Sequence, residues 1–470
     1  MYCLKKNNFL KNFFIFSLIF FSCVASYSNN LFKATSNSWF NKHQIDSEQL
    51  VLDGLMHANN NNIKPALGKY IRNNNDKKDY LNARIYFDNG NTNGIFQNYN
   101  SSYGLQVKIF NLFYSNGYKN ISTYHYFSSI LMALIVTLMS YVVKRDFSTI
   151  SGILFSLVFI FSPWLIVFAK NLFWLPFTWF MPIFFSMYFA PYIFKSLKKY
   201  LYMIFFLYFS FLLKFLCGYE FITTIFISTL VPIIYYAILK KYSYFKIIKK
   251  CSIIFIIFLL SFISSIKIQF LNKSFNMNNI ENPIISSAKA RLWANEPKKI
   301  ASQHCNGNND CILEISKSLK TNPLLVVSKY FLMVDFLPWT YSEKVDDKHK
   351  LIIKESLKKI NNNLNYKNIV LFYNEILKIL SFNLILFFIF KLISLLSFLL
   401  FIIYAIILSL KLNNHYRYYI LVSLIAPMSW FIIAKGHSSI HLHMNFVLWY
   451  IMFIPNCFVF LSNHFLKNNG

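Results

Sequence analysis

The sequence predicts an all-α polytopic membrane protein of about ten transmembrane helices, with two long outer loops that carry surface helices. Three observations lead there. Apolar runs of about 18 to 22 residues recur along the 470-residue chain, the length a helix needs to cross a hydrocarbon core of roughly 30 Å at 1.5 Å per residue. Hydrophobic residues make up 56% of the chain, with a mean hydropathy of +0.41, 53 Phe and only 11 Gly. The basic residues gather in alternate connections between the runs.

The runs fall near 12–27, 125–143, 149–168, 173–194, 201–216, 220–238, 251–270, 385–410, 418–434 and 444–462. With the N-terminus placed in the cytoplasm, the inner connections hold Lys5, Lys6, Lys11, Lys144, Arg145, Lys195, Lys198 and Lys199. They also hold Lys240, Lys241, Lys246, Lys249, Lys250, Lys411, Arg417 and Lys467. The short outer connections hold only Lys170 and Lys435. That asymmetry predicts both termini inside and puts residues 28–124 and 271–384 outside. Residues 1–270 form an N-terminal transmembrane module, and 385–470 supply the C-terminal spans. The basic start and the small residues around Cys23 and Ala25 leave a cleaved signal peptide open, and an uncleaved anchor is favoured because no clean A-x-A site follows. Pro323 to Tyr341 is apolar but carries Lys329, Asp335 and Pro338, and is read as a helix lying on the outer face.

The formal charge is +29, from 47 Lys and Arg against 18 Asp and Glu. In a soluble chain this would suggest nucleic acid. No nucleic-acid motif is present, and the lysines follow the spans, so nucleic acid is excluded as a partner and membrane lipids are expected instead.

The first outer segment opens on IDSEQLVLDGLMHA. Leu50, Val51, Leu55 and Met56 recur near helical spacing, which places Asp46 and Glu48 at or before a helix N-terminus. Carboxylates are favoured there by the exposed amides and the dipole, so a plain N-cap explains them without any chemistry. The chemical reading is that paired acids at a membrane surface take a proton from a nucleophile or hold a divalent cation. Further on, FSPWLIVFAKNLFWLPF brackets Lys170 and Asn171 between Pro163 and Pro176 at an outer turn, with Trp164 and Trp174 at belt positions.

An acidic pair after the first span, a long first outer loop and a basic residue between two prolines resemble the GT-C superfamily of membrane glycosyltransferases. The protein-mannosyltransferase-like and aminoarabinose-transferase-like branch is closest. IDSEQLVLDGLMHA is similar to that family's D-E-x-x-Y-x-x-x-A-x-x-L loop, with Ser47 intervening before Glu48 and no Tyr following. The resemblance covers roughly the first 200 residues in order and the rest by topology. It implies a sugar moved from a polyprenyl-phosphate-linked donor to an acceptor at the outer face of a cell-envelope membrane, such as a bacterial inner or plasma membrane. It also implies Asp46 as general base, Glu48 as its helper or a metal ligand, and Lys170 on the donor phosphate. The carboxylate logic stands without the family: a sugar hydroxyl is a poor nucleophile, and a carboxylate within hydrogen-bond reach accepts its proton.

Lys214 sits inside an apolar run and reads either as a phosphate contact or as a lysine neutralised by Glu220. Arg291, with Lys289 and Trp293, suits phosphate and sugar contact or a solvated helix. The last outer turn gathers Lys435, His437, His441 and His443, which suit hydrogen bonds to sugar or phosphate, a metal, or a polar interfacial turn. No cofactor is named by the sequence; a divalent cation is the one these acids and histidines leave open. Cys305 and Cys311 are close enough in an outer loop to close a small disulfide. The competing functions are a polysaccharide polymerase or ligase of the envelope, and a transporter. A transporter would show charges and broken helices near mid-membrane, and the sequence shows neither clearly.

Overall fold

The structure is a computed structural model and describes residues 2–72, 79–99, 101–272, 312–313, 316, 322, 400–412, 414–434, 438 and 444–468. Arg291, Lys435, His437, His441, His443, the Cys305–Cys311 pair and the helix expected over 323–341 lie outside the described residues.

The protein is mainly helical. Among the described residues, six helices are long and apolar enough to cross a membrane. They are α1 (Tyr2–Asn29), α6 (Ile121–Asp146), α10 (Leu197–Cys217), α11 (Ile222–Leu239), α12 (Tyr244–Asn272) and α14 (Asn414–Ile433). These match runs read from hydropathy, and they make the chain an integral membrane protein. The shorter α13 (Leu400–Lys411), α15 (Val447–Ile451) and α16 (Phe453–Asn468) complete the C-terminal part.

Two runs depart from the simple span. Residues 149–168 form α7 (Thr149–Ile160) and α8 (Pro163–Ala169), bent by 68° at the break, so they add at most one further span. Pro163 has no N–H to continue a helix, and the Ser162 hydroxyl accepts from Leu165 N at 3.1 Å to start a new one. The proline therefore opens α8 and does not close the turn. Residues 173–194 yield α9 (Phe177–Phe189), only 13 residues long, which begins after Pro176 and contains Pro182.

The first loop carries four short helices: α2 (Asn37–Lys42), α3 (Ile45–Asn60), α4 (Ala83–Asp88) and α5 (Leu105–Tyr114). It also carries a two-stranded antiparallel ribbon, β1 (Gly68–Ile71) with β2 (Ile95–Asn98), which departs from the all-helical expectation. Helix α3 is the keel of this loop. Val51, Leu52, Leu55 and Met56 are buried, and so are the polar Glu48, Gln49 and Asp53. Gly54 lets the chain pass close: a Cβ there would stand 2.3 Å from the Ala66 carbonyl oxygen.

The bundle has two distinct ends. His125 lies in the first turns of α6, and Lys144 and Arg145 lie in its last turn, about 30 Å away at helical rise. Arg145 N–H groups reach the carbonyls of Met187 and Tyr188 at the end of α9. Arg145 and Lys199 both stand over the ring of Tyr192, so the basic ends of α6, α9 and α10 share one side. The first loop, His125, the turn at 170–176 and the end of α10 share the other.

Candidate functional site

Glu48 is the node of the loop end. It is fully buried, and its carboxylate collects donors from three separate elements. Arg84 of α4 donates to Oε2 through Nε at 2.7 Å and through its second guanidinium nitrogen at 2.6 Å. His125 Nε2 lies 2.8 Å from Oε1, and since an ionised carboxylate only accepts, that nitrogen carries the proton. Leu172 N–H points at the same oxygen at 3.3 Å. Burial alone would raise this carboxyl, but the charge and hydrogen bonds of Arg84 and His125 outweigh it and hold Glu48 well below the usual carboxylate range.

The same contacts fasten the turn after α8 to α3. Asn171 Nδ2 donates to the Gln44 carbonyl at 3.0 Å. Lys170, one residue past α8 and 4% exposed, donates from Nζ to Asn41 Oδ1 at 3.1 Å and stands 3.4 Å above the Phe40 ring. Arg84 donates to the Asn41 carbonyl at 2.8 Å, so Lys170 and Arg84 both hold one residue. Burial first, and Arg84 second, push the Lys170 amine down to about 7, while Glu48 pulls it back up. Among the described residues Lys170 forms one hydrogen bond, although an ammonium carries three N–H groups.

Asp46 and Glu48 both stand in the first turn of α3, but neither caps it: the N-cap is Gln44, left-handed at φ 55° and without a side-chain cap bond. Two residues on a helix are about 200° apart. Glu48 therefore points inward while Asp46 is exposed, and Asp46 makes no ion pair among the described residues. The two carboxylates cannot grip one cation. Among the described residues, no group of three His, Cys, Asp or Glu side chains is placed to hold a metal ion.

A second buried carboxylate of α3 serves the ribbon. Asp53 accepts from Arg72 at 2.6 and 3.2 Å, from Tyr70 N–H at 2.9 Å and from Gln49 at 2.9 Å. Burial raises the Asp53 carboxyl, and these donors pull it back only in part. The first loop has two arginines, and each meets one buried carboxylate of α3.

Lys214 is buried at the end of α10 and donates to the Gly218 carbonyl at 2.7 Å, which closes its own helix. It is not among the groups around Glu48. Gln106 of α5 links the two places: its Nε2 donates to the Phe173 carbonyl at 3.2 Å and to the Cys217 carbonyl at 3.1 Å.

Of the residues read from the sequence, the fold brings Glu48, Lys170 and Asn171 together, leaves Asp46 on the exposed side of α3, and places Lys214 elsewhere. Sequence reasoning missed Arg84, His125 and Gln106. The signal for His125 was present, since an ionisable residue at the head of an apolar run calls for a partner. Arg84 has no such local signal. The chain matches no protein-family model, no curated protein and no solved structure.

Proposed function

We propose that the protein is an outer-face glycosyltransferase that takes a sugar from a polyprenyl-phosphate-linked donor, with Asp46 as general base. The observation that carries this reading is Lys170. It is a buried amine with one neutral acceptor among the described residues, next to the Arg84 guanidinium, at a turn that Asn171 pins to the start of α3. A phosphate oxygen suits the N–H groups that Asn41 leaves over, and positive charge there eases departure of the lipid phosphate. Asp46 follows the pinned Gln44 by two residues and keeps its carboxylate exposed to an acceptor. Glu48, with both oxygens engaged, is a positioning residue in this reading.

The test is turnover of a polyprenyl-phosphate-linked sugar by purified protein. Asp46→Asn should lose about 10²–10⁴-fold in rate at unchanged stability, the usual contribution of a general base. Turnover near wild type would remove Asp46 from the mechanism. The 68° break between α7 and α8 favours a second reading, a transporter, because interrupted helices line transport sites. Solute uptake into vesicles without sugar transfer would select it.

A further inference from the structure

The opposite end of the bundle carries a charge that the proposed chemistry does not use. Lys195, Lys198 and Lys199 lead into α10, and Lys246, Lys249 and Lys250 lie in the first turns of α12, which packs against α10. Between Asp146 and Glu220 the chain has no acidic residue, and none follows Glu220 until Glu281. Asp146 itself is gripped by Arg145 at 2.6 and 2.9 Å. None of the six lysines has an ion pair among the described residues.

The patch is built as well as charged. Lys250 Nζ stands 3.1 Å above the ring of Tyr200, joining α12 to α10, and Lys199 Nζ stands 3.8 Å above Tyr192. Tyr200 is 6% exposed, and its hydroxyl is buried without a hydrogen-bond partner among the described residues. A buried hydroxyl is costly unless something takes its hydrogen bond. The exposed Tyr202, Tyr244 and Phe245 beside these lysines are the aromatic rings expected at a lipid–water boundary.

We propose that the paired first turns of α10 and α12 bind the headgroup of an anionic phospholipid. Lys199, Lys249 and Lys250 meet its phosphate, and the Tyr200 hydroxyl donates to one of its oxygens. A lipid is the occupant because the charge lies at the edge of apolar, outward-facing helices, where a soluble polyanion would leave Tyr244, Phe245 and Leu197 uncovered.

The test is lipid retention by the detergent-purified full chain, read by native mass spectrometry with phosphatidylglycerol and phosphatidylcholine of matched acyl chains. Phosphatidylglycerol should bind the more tightly. Lys199→Ala, Lys249→Ala and Lys250→Ala should each weaken it about fivefold and leave phosphatidylcholine unchanged. Tyr200→Phe, which keeps the packing, should weaken it by a smaller factor. Lys11→Ala removes an exposed charge from α1, which packs against α6 and α7, and should change nothing. Equal binding of the two lipids overturns the proposal. So does an effect of Lys11→Ala as large as that of Lys250→Ala, which would reduce the patch to net charge.

Discussion

Glu48 and Lys250 stand at opposite ends of the same helical bundle, and their charges are handled in opposite ways. Glu48 is withdrawn from solvent and surrounded by Arg84, His125 and the Leu172 amide. Lys250 is half-buried and stands over an aromatic ring, among lysines with no acid near them in sequence. A carboxylate withdrawn from water must be matched or it costs several kcal/mol, so the first end is a clamp whose parts depend on one another. Lysines that keep their ammonium groups in water need no match, so the second end tolerates change and leaves its charge available.

The largest effect expected concerns the compartments that the two ends face. Single cysteines at Asn89 in the loop and at Lys246 in α12, in a background without accessible thiols, should be labelled from opposite sides of the membrane. Labelling of both from one side would remove the outer-face site and the lipid site together.

The next largest effect belongs to the clamp. Glu48→Gln leaves Arg84 and His125 without their anion and should cost about 3–5 kcal/mol in reversible unfolding, the usual result of breaking a buried ion pair on one side. Replacing both partners, Glu48→Leu with Arg84→Leu, should recover part of that loss. The pH dependence has a definite sign. The Glu48 carboxyl is held below its ordinary 4.5 in the fold, so its contribution is present above that pH and is lost on acidification below it. The Glu48→Gln protein should lack that part of the acid response. A variant as stable as wild type would mean that the clamp holds nothing.

The clamp also marks where sequence reading stops. Hydropathy found the six long spans because each is a local property of about twenty consecutive residues. The break in 149–168 is hidden from hydropathy because the run stays apolar through Pro163, and a proline at the first helical position starts a helix as readily as it ends one. The β1–β2 ribbon was invisible, since Tyr70 pairs with Phe96 across a long insertion and neither strand is long enough to show a period. The partners of Glu48 lie 36, 77 and 124 residues away, and no local pattern announces them. Glu48 sits four residues before Leu52, on the face of Leu52 and Leu55, whereas Asp46 does not, so the helical period already distinguished the inward acid from the outward one.

Lys170 sharpens the comparison from within the buried end. Its amine is pushed down to about 7, so it is charged below that pH and neutral above. Affinity for a polyprenyl-phosphate sugar should fall about tenfold to a hundredfold as pH rises through this value, the worth of one charged hydrogen bond. The donor is a phosphodiester and does not titrate there, so the change reports the protein. Lys170→Arg cannot lose its proton near neutrality and should flatten the profile. A wild-type profile that is already flat would leave Lys170 as a strut between Asn41 and α8.

The smallest effect is expected at the lysine end. Lys195 and Lys246 are exposed and paired with nothing among the described residues. Removing either should change stability by less than about 0.5 kcal/mol, as for surface sites away from caps and networks. Measured in neutral detergent, Lys195→Ala and Lys246→Ala should therefore melt with wild type, at the same pH where Glu48→Gln is badly weakened. Their effect should emerge only when the surroundings carry charge. In vesicles rich in phosphatidylglycerol each missing lysine gives up an attraction of about 1 kcal/mol to the surface, and added salt should erase the difference. A large loss in neutral detergent would show that these lysines hold the fold, and the contrast between a paired end and an available one would fail at its second term.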